Sequence, residues 1–202
     1  MIDTIVFDIG NVLIKWDPRV PYRDYFKDPK DMDFFFENIC TMEWNEEQDK
    51  GRRTSEATQI LIDQYPDWEE PIRMYYGRWK EMILGSIDGT VEILKALKNN
   101  GDYRLLALTN WSDELFPWAL ETFDFLGIFE GILVSGEEKM KKPDIRIYKR
   151  FQEKFQAEAA QCIFIDDSLK NVEGAKEAGW EAILFEGPEQ LIDSLKVHGI
   201  TI

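Results

Sequence analysis

Five short apolar runs set the strongest limit on what this chain can become: Thr4–Phe7, Tyr103–Thr109, Gly131–Ser135, Cys162–Ile165 and Ala182–Phe185. Each is largely apolar at successive positions rather than at alternate ones, the pattern of a strand covered on both faces of a sheet. Between them lie stretches with helical period. Val91, Leu94 and Leu97 form one apolar stripe that stops near Gly101, and Ile145–Phe155 gives another. Asn171–Ala178 gives a third and ends at Gly179, a residue suited to the left-handed turn past a helix end. Strand and helix in alternation, joined by short loops, predict a three-layer α/β domain around a mostly parallel five-stranded sheet.

One segment breaks that rhythm. From Lys15 to Ser86 the sequence offers no convincing strand, yet it holds Trp16, Trp44, Trp68 and Trp79. Met42–Tyr65 and Ile72–Ile83 read as helices, separated at Pro66 and Pro71. A connection this long is expected to carry structure of its own. It is read as a helical cap over 15–86, inserted after the first strand, which leaves a discontinuous core of 1–14 and 87–202. Trp44 and Trp79 are expected to pack the inside of that cap.

Composition narrows the function. With 202 residues, 44% of them hydrophobic, the chain can bury a core without staples and is not a disordered polymer. The 39 acidic residues outnumber 24 basic ones for a net charge of −15, which opposes binding to nucleic acid or to an anionic membrane. Two cysteines and one histidine supply neither a disulfide framework nor a structural zinc site. The N-terminal apolar stretch ends at Asp8, too short for a signal peptide or a membrane span, so a cytoplasmic location is expected. The oligomeric state, monomer or weak homodimer, is left open.

The polar residues fall at telling positions. Asp8 ends the first strand, Thr109 and Asn110 the second, and Asp166-Asp167 the fourth. In a parallel sheet these carboxyl ends share one edge, where α/β proteins bind ligands. Lys142, before Pro143, sits on the loop after the third strand and is placed to reach the same edge. Taken singly, Asp8 or Asp166-Asp167-Ser168 could cap helices, Thr109-Asn110 could make a turn, and Lys142 could lie in solvent. Taken together they form three carboxylates that are costly to bury without a cation. An oxygen-only cluster without histidine favours Mg2+ over zinc. The adjacent lysine, hydroxyl and loop amides suit an anion. Metal plus anion points to phosphate chemistry, in which a carboxylate can attack phosphorus and form an acyl phosphate.

Four motifs in order resemble those of the haloacid dehalogenase superfamily: Val6-Phe7-Asp8-Ile9-Gly10-Asn11-Val12-Leu13, Leu106-Ala107-Leu108-Thr109-Asn110, Lys141-Lys142-Pro143-Asp144, and Phe164-Ile165-Asp166-Asp167-Ser168 with Asn171 to Ala175. The resemblance implies a Rossmann-like core and a magnesium-dependent phosphatase. Asp8 would be the nucleophile, Thr109 would hydrogen-bond the transferring phosphoryl group, and Lys142 would clamp its charge. Asp8, Asp167 and the Gly10 carbonyl would hold Mg2+, with Asp166 acting through water or as a neighbour.

The cap and the opening Phe-Asp-Ile-Gly-Asn-Val, with Met42-Glu43-Trp44-Asn45 through Gly51, are similar to a bacterial sub-group resembling glucose-1-phosphate phosphatases. That likeness implies a small phosphorylated metabolite, a sugar or sugar-alcohol phosphate. Asn110, Trp111, Trp16, Asp17, Arg19, Asp49 and Arg52 are the expected substrate contacts. Gly10 departs from the family pattern, in which an aspartate two residues after the nucleophile acts as acid and base. Its replacement is not identifiable from sequence: a cap residue, a water or the substrate could serve. A sugar-phosphate phosphomutase and a catalytically weak metabolite-binding relative are the alternatives. The dehalogenase reaction needs no metal and fits the Asp166-Asp167 pair poorly.

Overall fold

The computed structural model describes all 202 residues. Its strands are β1 (Thr4–Phe7), β2 (Ile14–Trp16), β3 (Ile83–Ser86), β4 (Arg104–Thr109), β5 (Gly131–Val134), β6 (Cys162–Asp166) and β7 (Glu181–Leu184). Five of them form one parallel sheet in the order β5-β4-β1-β6-β7. The apolar runs therefore become the expected strands. Phe7 lies beside Ala107 on one flank and Ile165 on the other, and Thr109 pairs with Val134. This register brings Asp8, Asn110, Ser135 and Asp166 to a single edge.

The helices are α1 (Pro29–Asn38), α2 (Met42–Asp49), α3 (Thr54–Gln64), α4 (Glu69–Gly77), α5 (Asp88–Asn100), α6 (Phe116–Thr122), α7 (Ser135–Glu138), α8 (Ile145–Phe155), α9 (Leu169–Glu177) and α10 (Pro188–Val197). Side chains alternate across the pleat, so successive β1 residues serve different layers. Ile5 and Phe7 join a core cluster with Leu94 and Leu97 of α5 and Leu191 and Leu195 of α10. Val6 faces the other way, into a cluster with Tyr148 and Phe151 of α8 and Val172 and Ala175 of α9. The first cluster continues without a break into the inserted segment through Tyr22, Phe35, Leu61, Tyr75 and Met82.

That segment departs from expectation in four ways. It contains strands: β2 pairs antiparallel with β3, Ile14 opposite Ser86 and Trp16 opposite Ile83. The pair joins the two ends of the insertion, and its short, distant halves gave no local signal. The helical stretch expected over Met42–Tyr65 is two helices, broken at Gly51, whose φ of +87° is a left-handed turn that glycine adopts freely. The stretch expected over Ile72–Ile83 is α4, which ends at Gly77, then a 3-10 turn at Trp79–Met82 and the start of β3. Helix α1 was also not anticipated; Asp28 begins it by accepting from the Lys30 amide at 2.9 Å. Likewise Thr41 caps α2 through the Trp44 amide at 3.1 Å. No helix is long and apolar enough to cross a membrane.

Candidate active site

A cavity of about 480 Å3 lies between the carboxyl edge of the sheet and the inserted helices, with Asp8, Gly10, Asp167 and Lys142 at its floor. Oxygens of Asp8, Asp166 and Asp167 lie within 4.8 Å of one another. Lys142 binds this cluster together. Its fully buried ammonium is 2.9 Å from Asp8 Oδ1, 2.7 Å from Asp166 Oδ2 and 3.0 Å from the Leu108 carbonyl, which uses all three of its donors.

The chain around Lys142 explains this placement. Its amide donates to Asn110 Oδ1 at 2.9 Å, and Asn110 Nδ2 donates back to its carbonyl at 3.1 Å. Asn110 borders the cavity, but its amide group is committed to the lysine loop. On the far side, a Cβ at Gly174 of α9 would come within 2.8 Å of the Pro143 carbonyl, so glycine lets that helix press on the loop. Asp166 is held as firmly. It accepts from the Ser168 amide at 2.8 Å and from Asn171 Nδ2 at 3.0 and 3.1 Å, besides Lys142. Four close contacts surround its two oxygens, so Asp166 is committed to holding Lys142 and its own loop.

Burial pushes the Asp8 carboxyl up to about 8; Lys142 pulls it down, while Asp166 and Asp167 push it further up. Burial acts to lower Lys142, and the two carboxylates more than offset it. One ammonium does not balance three carboxylates, and a divalent cation fits the remaining charge. The buried Thr109 hydroxyl has no hydrogen-bond partner in the protein. A buried polar group in that state is suited to an incoming ligand oxygen.

The expected substrate contacts divide. Trp16, Asp49, Trp111 and Asn110 line the cavity. Asp17, Arg19 and Arg52 do not; each is engaged elsewhere. Asp17 accepts from Arg23 at 2.8 Å, Arg19 pairs with Asp33 at 2.6 Å and covers the Phe36 ring, and Arg52 donates to Gln48 at 2.7 Å. Trp44 packs edge-on against Tyr75 inside the insertion. Trp79 is buried too but borders the cavity, where it meets Trp111 at 6.0 Å between ring centres.

Some participants gave little sign in the sequence. Lys141 reaches Glu46 of α2 at 3.0 Å and ties the core to the insertion. Ser135, just after β5, accepts from the Trp111 amide at 2.9 Å and donates to the Asp49 carbonyl at 2.6 Å. Both are contacts between distant segments, which periodicity does not encode.

The sequence model of haloacid dehalogenase-like hydrolases matches residues 35–200. The chain belongs to this family. A sesquiterpene phosphatase, astK, of Aspergillus oryzae is 27% identical over 175 residues, covering 86% of this chain and 85% of the relative. A glyceraldehyde 3-phosphate phosphatase of Pyrococcus abyssi is 29% identical over 126 residues, 60% of this chain and 51% of its own length. The drimenol cyclase drtB of Aspergillus calidoustus is 23% identical over 95% of this chain, which spans only 35% of that longer protein. Among solved structures, a family enzyme of Bacteroides thetaiotaomicron, in complex with magnesium and inorganic phosphate, superposes with a TM-score of 0.71. It is 21% identical, with 93% of this chain and 95% of the other covered, and so shares the fold. This member of the family carries Gly10 where an acid–base carboxylate is expected.

Proposed function

We propose that the protein is a magnesium-dependent phosphatase of small phosphate monoesters, a sugar or sugar-alcohol phosphate, acting through an aspartyl phosphate on Asp8. The observation that carries this reading is the buried Lys142 ammonium held between Asp8 and Asp166 beside the open carboxylate of Asp167. In this reading residues 15–86 are the cap, and 1–14 with 87–202 the catalytic core. Phosphatase relatives at 27% and 29% identity support the reaction class.

Asp8, Asp167 and the Gly10 carbonyl would hold Mg2+, whose role is to neutralise charge on the phosphoryl oxygens. Asp8 attacks phosphorus, the bond to the ester oxygen breaks, and a water later cleaves the acyl phosphate. Lys142 stabilises the charge that spreads over the phosphoryl oxygens and keeps Asp8 aimed. Thr109 donates its unpartnered hydroxyl to one of those oxygens. The cap limits water and surrounds the rest of the ester. Asn45 and Glu46 on the cavity wall suit hydroxyl groups, and Trp16, Trp79 and Trp111 suit the apolar face of a sugar ring. The same indole wall also accommodates an isoprenoid phosphate, a second reading favoured by the match to the sesquiterpene phosphatase. The net charge of −15 supports a diffusible metabolite rather than nucleic acid as ligand.

The test is phosphate release across a panel of hexose, polyol, triose and isoprenyl phosphates, with and without Mg2+, for wild-type protein and Asp8→Asn. Release that needs Mg2+ and vanishes in the folded variant supports the reading. Activity in excess chelator, or in Asp8→Asn after deamidation is excluded, overturns it. Isomerisation of a sugar phosphate without release would make the protein a mutase.

A further inference from the structure

With glycine at position 10, no carboxylate two residues past Asp8 can protonate the departing oxygen or deprotonate water. Most titratable groups on the cavity wall already have partners. Glu46 pairs with Lys141 at 3.0 Å. The Tyr76 hydroxyl accepts from Gln48 at 2.8 Å and donates to Asn45 at 3.2 Å. Lys142 has no free donor, and Asp8 and Asp167 belong to the phosphoryl and metal site. Lys170 is exposed at the surface. Asp49, half-buried at the end of α2, is a cavity-lining carboxylate with no hydrogen bond and no ion pair in the protein.

Asp49 is also seated by the core rather than left to the cap. The Ser135 hydroxyl donates to its carbonyl at 2.6 Å while accepting from Trp111, the second residue past Thr109. Two residues on, a Cβ at Gly51 would lie 2.7 Å from the Gly136 carbonyl, so the chain leaving α2 rests on core backbone. Two separate contacts thus fix the end of α2 against the start of α7, directly after β5.

We propose that Asp49 is the proton-transfer residue of this active site, a carboxyl supplied across the cavity by the cap in place of one at position 10. The proposal rests on the phosphatase reading. In the first step Asp8 attacks phosphorus, the P–O bond to the alcohol breaks, and the leaving oxygen takes the Asp49 proton, giving the free alcohol and an Asp49 carboxylate. In the second step that carboxylate takes a proton from water as its oxygen attacks the acyl phosphate. The Asp8–phosphorus bond breaks, inorganic phosphate leaves, and both carboxyls are restored. The surroundings suit both roles. Burial pushes Asp49 up to about 7, with Glu46 adding to the rise and Lys141 and Lys142 opposing it. Tyr75 and Tyr76 face it from α4 and stay neutral, since burial raises both phenols.

The experiment compares wild-type protein, Asp49→Asn and the double variant Asp49→Asn with Gly10→Asp. The substrates are p-nitrophenyl phosphate, whose phenolate leaves unprotonated, and the best alkyl phosphate of the panel. On the alkyl ester, Asp49→Asn is expected to lose about a hundredfold or more in kcat with KM little changed. On the aryl ester the same variant should release a burst of nitrophenol and then turn over slowly, because acyl-phosphate hydrolysis has lost its base. The wild-type alkyl rate is expected to fall above about pH 7, and the variant to lack that limb. A Cβ at Gly10 meets nothing within 4 Å, so the second carboxylate has room and should restore part of the alkyl rate. Equal losses on both esters without a burst, a rise confined to KM, or an unimpaired Asp49→Asn in an active wild-type background would each overturn the proposal alone. A wild-type protein that releases phosphate from neither ester overturns the phosphatase reading itself.

Discussion

Replacing Lys142 by alanine removes one positive charge from between two carboxylates 2.9 and 2.7 Å away. At an effective dielectric constant of about 20, each contact is worth about 6 kcal/mol before desolvation. The cost of burying the ammonium cancels much of that, and breaking a buried pair leaves a net loss of about 3–5 kcal/mol. For a chain of this size that lowers Tm by roughly 10 °C. The rate loss is separate: without this positive charge beside the phosphoryl site of the proposed reaction, kcat/KM should fall on the order of a thousandfold, about 4 kcal/mol. Lys142→Met keeps most of the apolar stem while removing the ammonium that lies 5.1 Å over the Phe164 ring, and should lose the same rate with less unfolding than alanine because it leaves a smaller cavity.

Lys141 is the comparison, with a defined contact of its own. Its 3.0 Å link to Glu46 is partly exposed, worth about 0.5–1 kcal/mol, so Lys141→Ala should cost tenfold or less. The assay is kcat/KM on the best ester at saturating Mg2+, with Tm measured in parallel. Equal and small losses at both lysines would refute the reasoning and return Lys142 to a structural role.

Three further outcomes are expected. Asp167→Asn should weaken Mg2+ binding in calorimetric titration and lower the rate in step; unchanged Mg2+ affinity removes Asp167 from the metal site. Ser135→Ala leaves the Trp111 amide and Asp49 carbonyl unpaired, so it should destabilise the fold by about 1–3 kcal/mol in urea and slow alkyl esters more than nitrophenyl phosphate. Asp49→Asn should make the protein more stable at pH 8 and leave it unchanged at pH 4. The folded carboxyl, raised to about 7, holds a proton that the unfolded one releases near 4, so wild-type stability falls as pH rises through that window. With allowance for its exposed face the gain is roughly 1–2 kcal/mol. A loss of stability at pH 8 would mean the carboxylate is held by contacts of its own.

The central sheet was legible because each of its strands is built on a largely apolar run, and parallel pairing then forces Asp8, Asn110 and Asp166 onto one edge. Less legible were features made by distant segments. Strands β2 and β3 are three and four residues long and exist only through each other. Nothing local in the Lys141-Lys142 pair says which ammonium turns inward; the choice is made by Asn110, which grips Lys142 on both sides of its backbone. Asp17 and Arg19 directly follow the Asp8 loop in sequence, yet proximity along the chain did not carry them into the cavity. Each has a nearer charged partner, Arg23 and Asp33. Asp49 lay further away in sequence and reaches the cavity because α2 ends against Ser135.

Charge gives these arrangements a common cause. Asp8, Asp166 and Asp167 carry three negative charges when ionised and Lys142 returns one, so the floor of the cavity keeps a formal charge of two negatives. In a chain already at −15, solvent offers that site little relief once the cap covers it. Burial is the main cause of the raised Asp8 carboxyl, and the charges of Asp166 and Asp167 add to it against the pull of Lys142. On the proposed reading a divalent cation would cancel that formal charge and leave Asp8 ionised as the nucleophile. An arriving phosphate monoester would restore two negatives, to be held against that cation, Lys142 and the nearby ammonium of Lys141. A further fixed anion at position 10 would sit on the cation side of that balance. A carboxyl on the cap, near neutrality in its affinity for protons, can enter uncharged with the ester and ionise only as the alcohol departs. On this account glycine at position 10 and an unpaired Asp49 are two halves of one electrostatic solution, and Gly10→Asp alone should cost the wild-type protein Mg2+-free stability while Asp49→Asn does not.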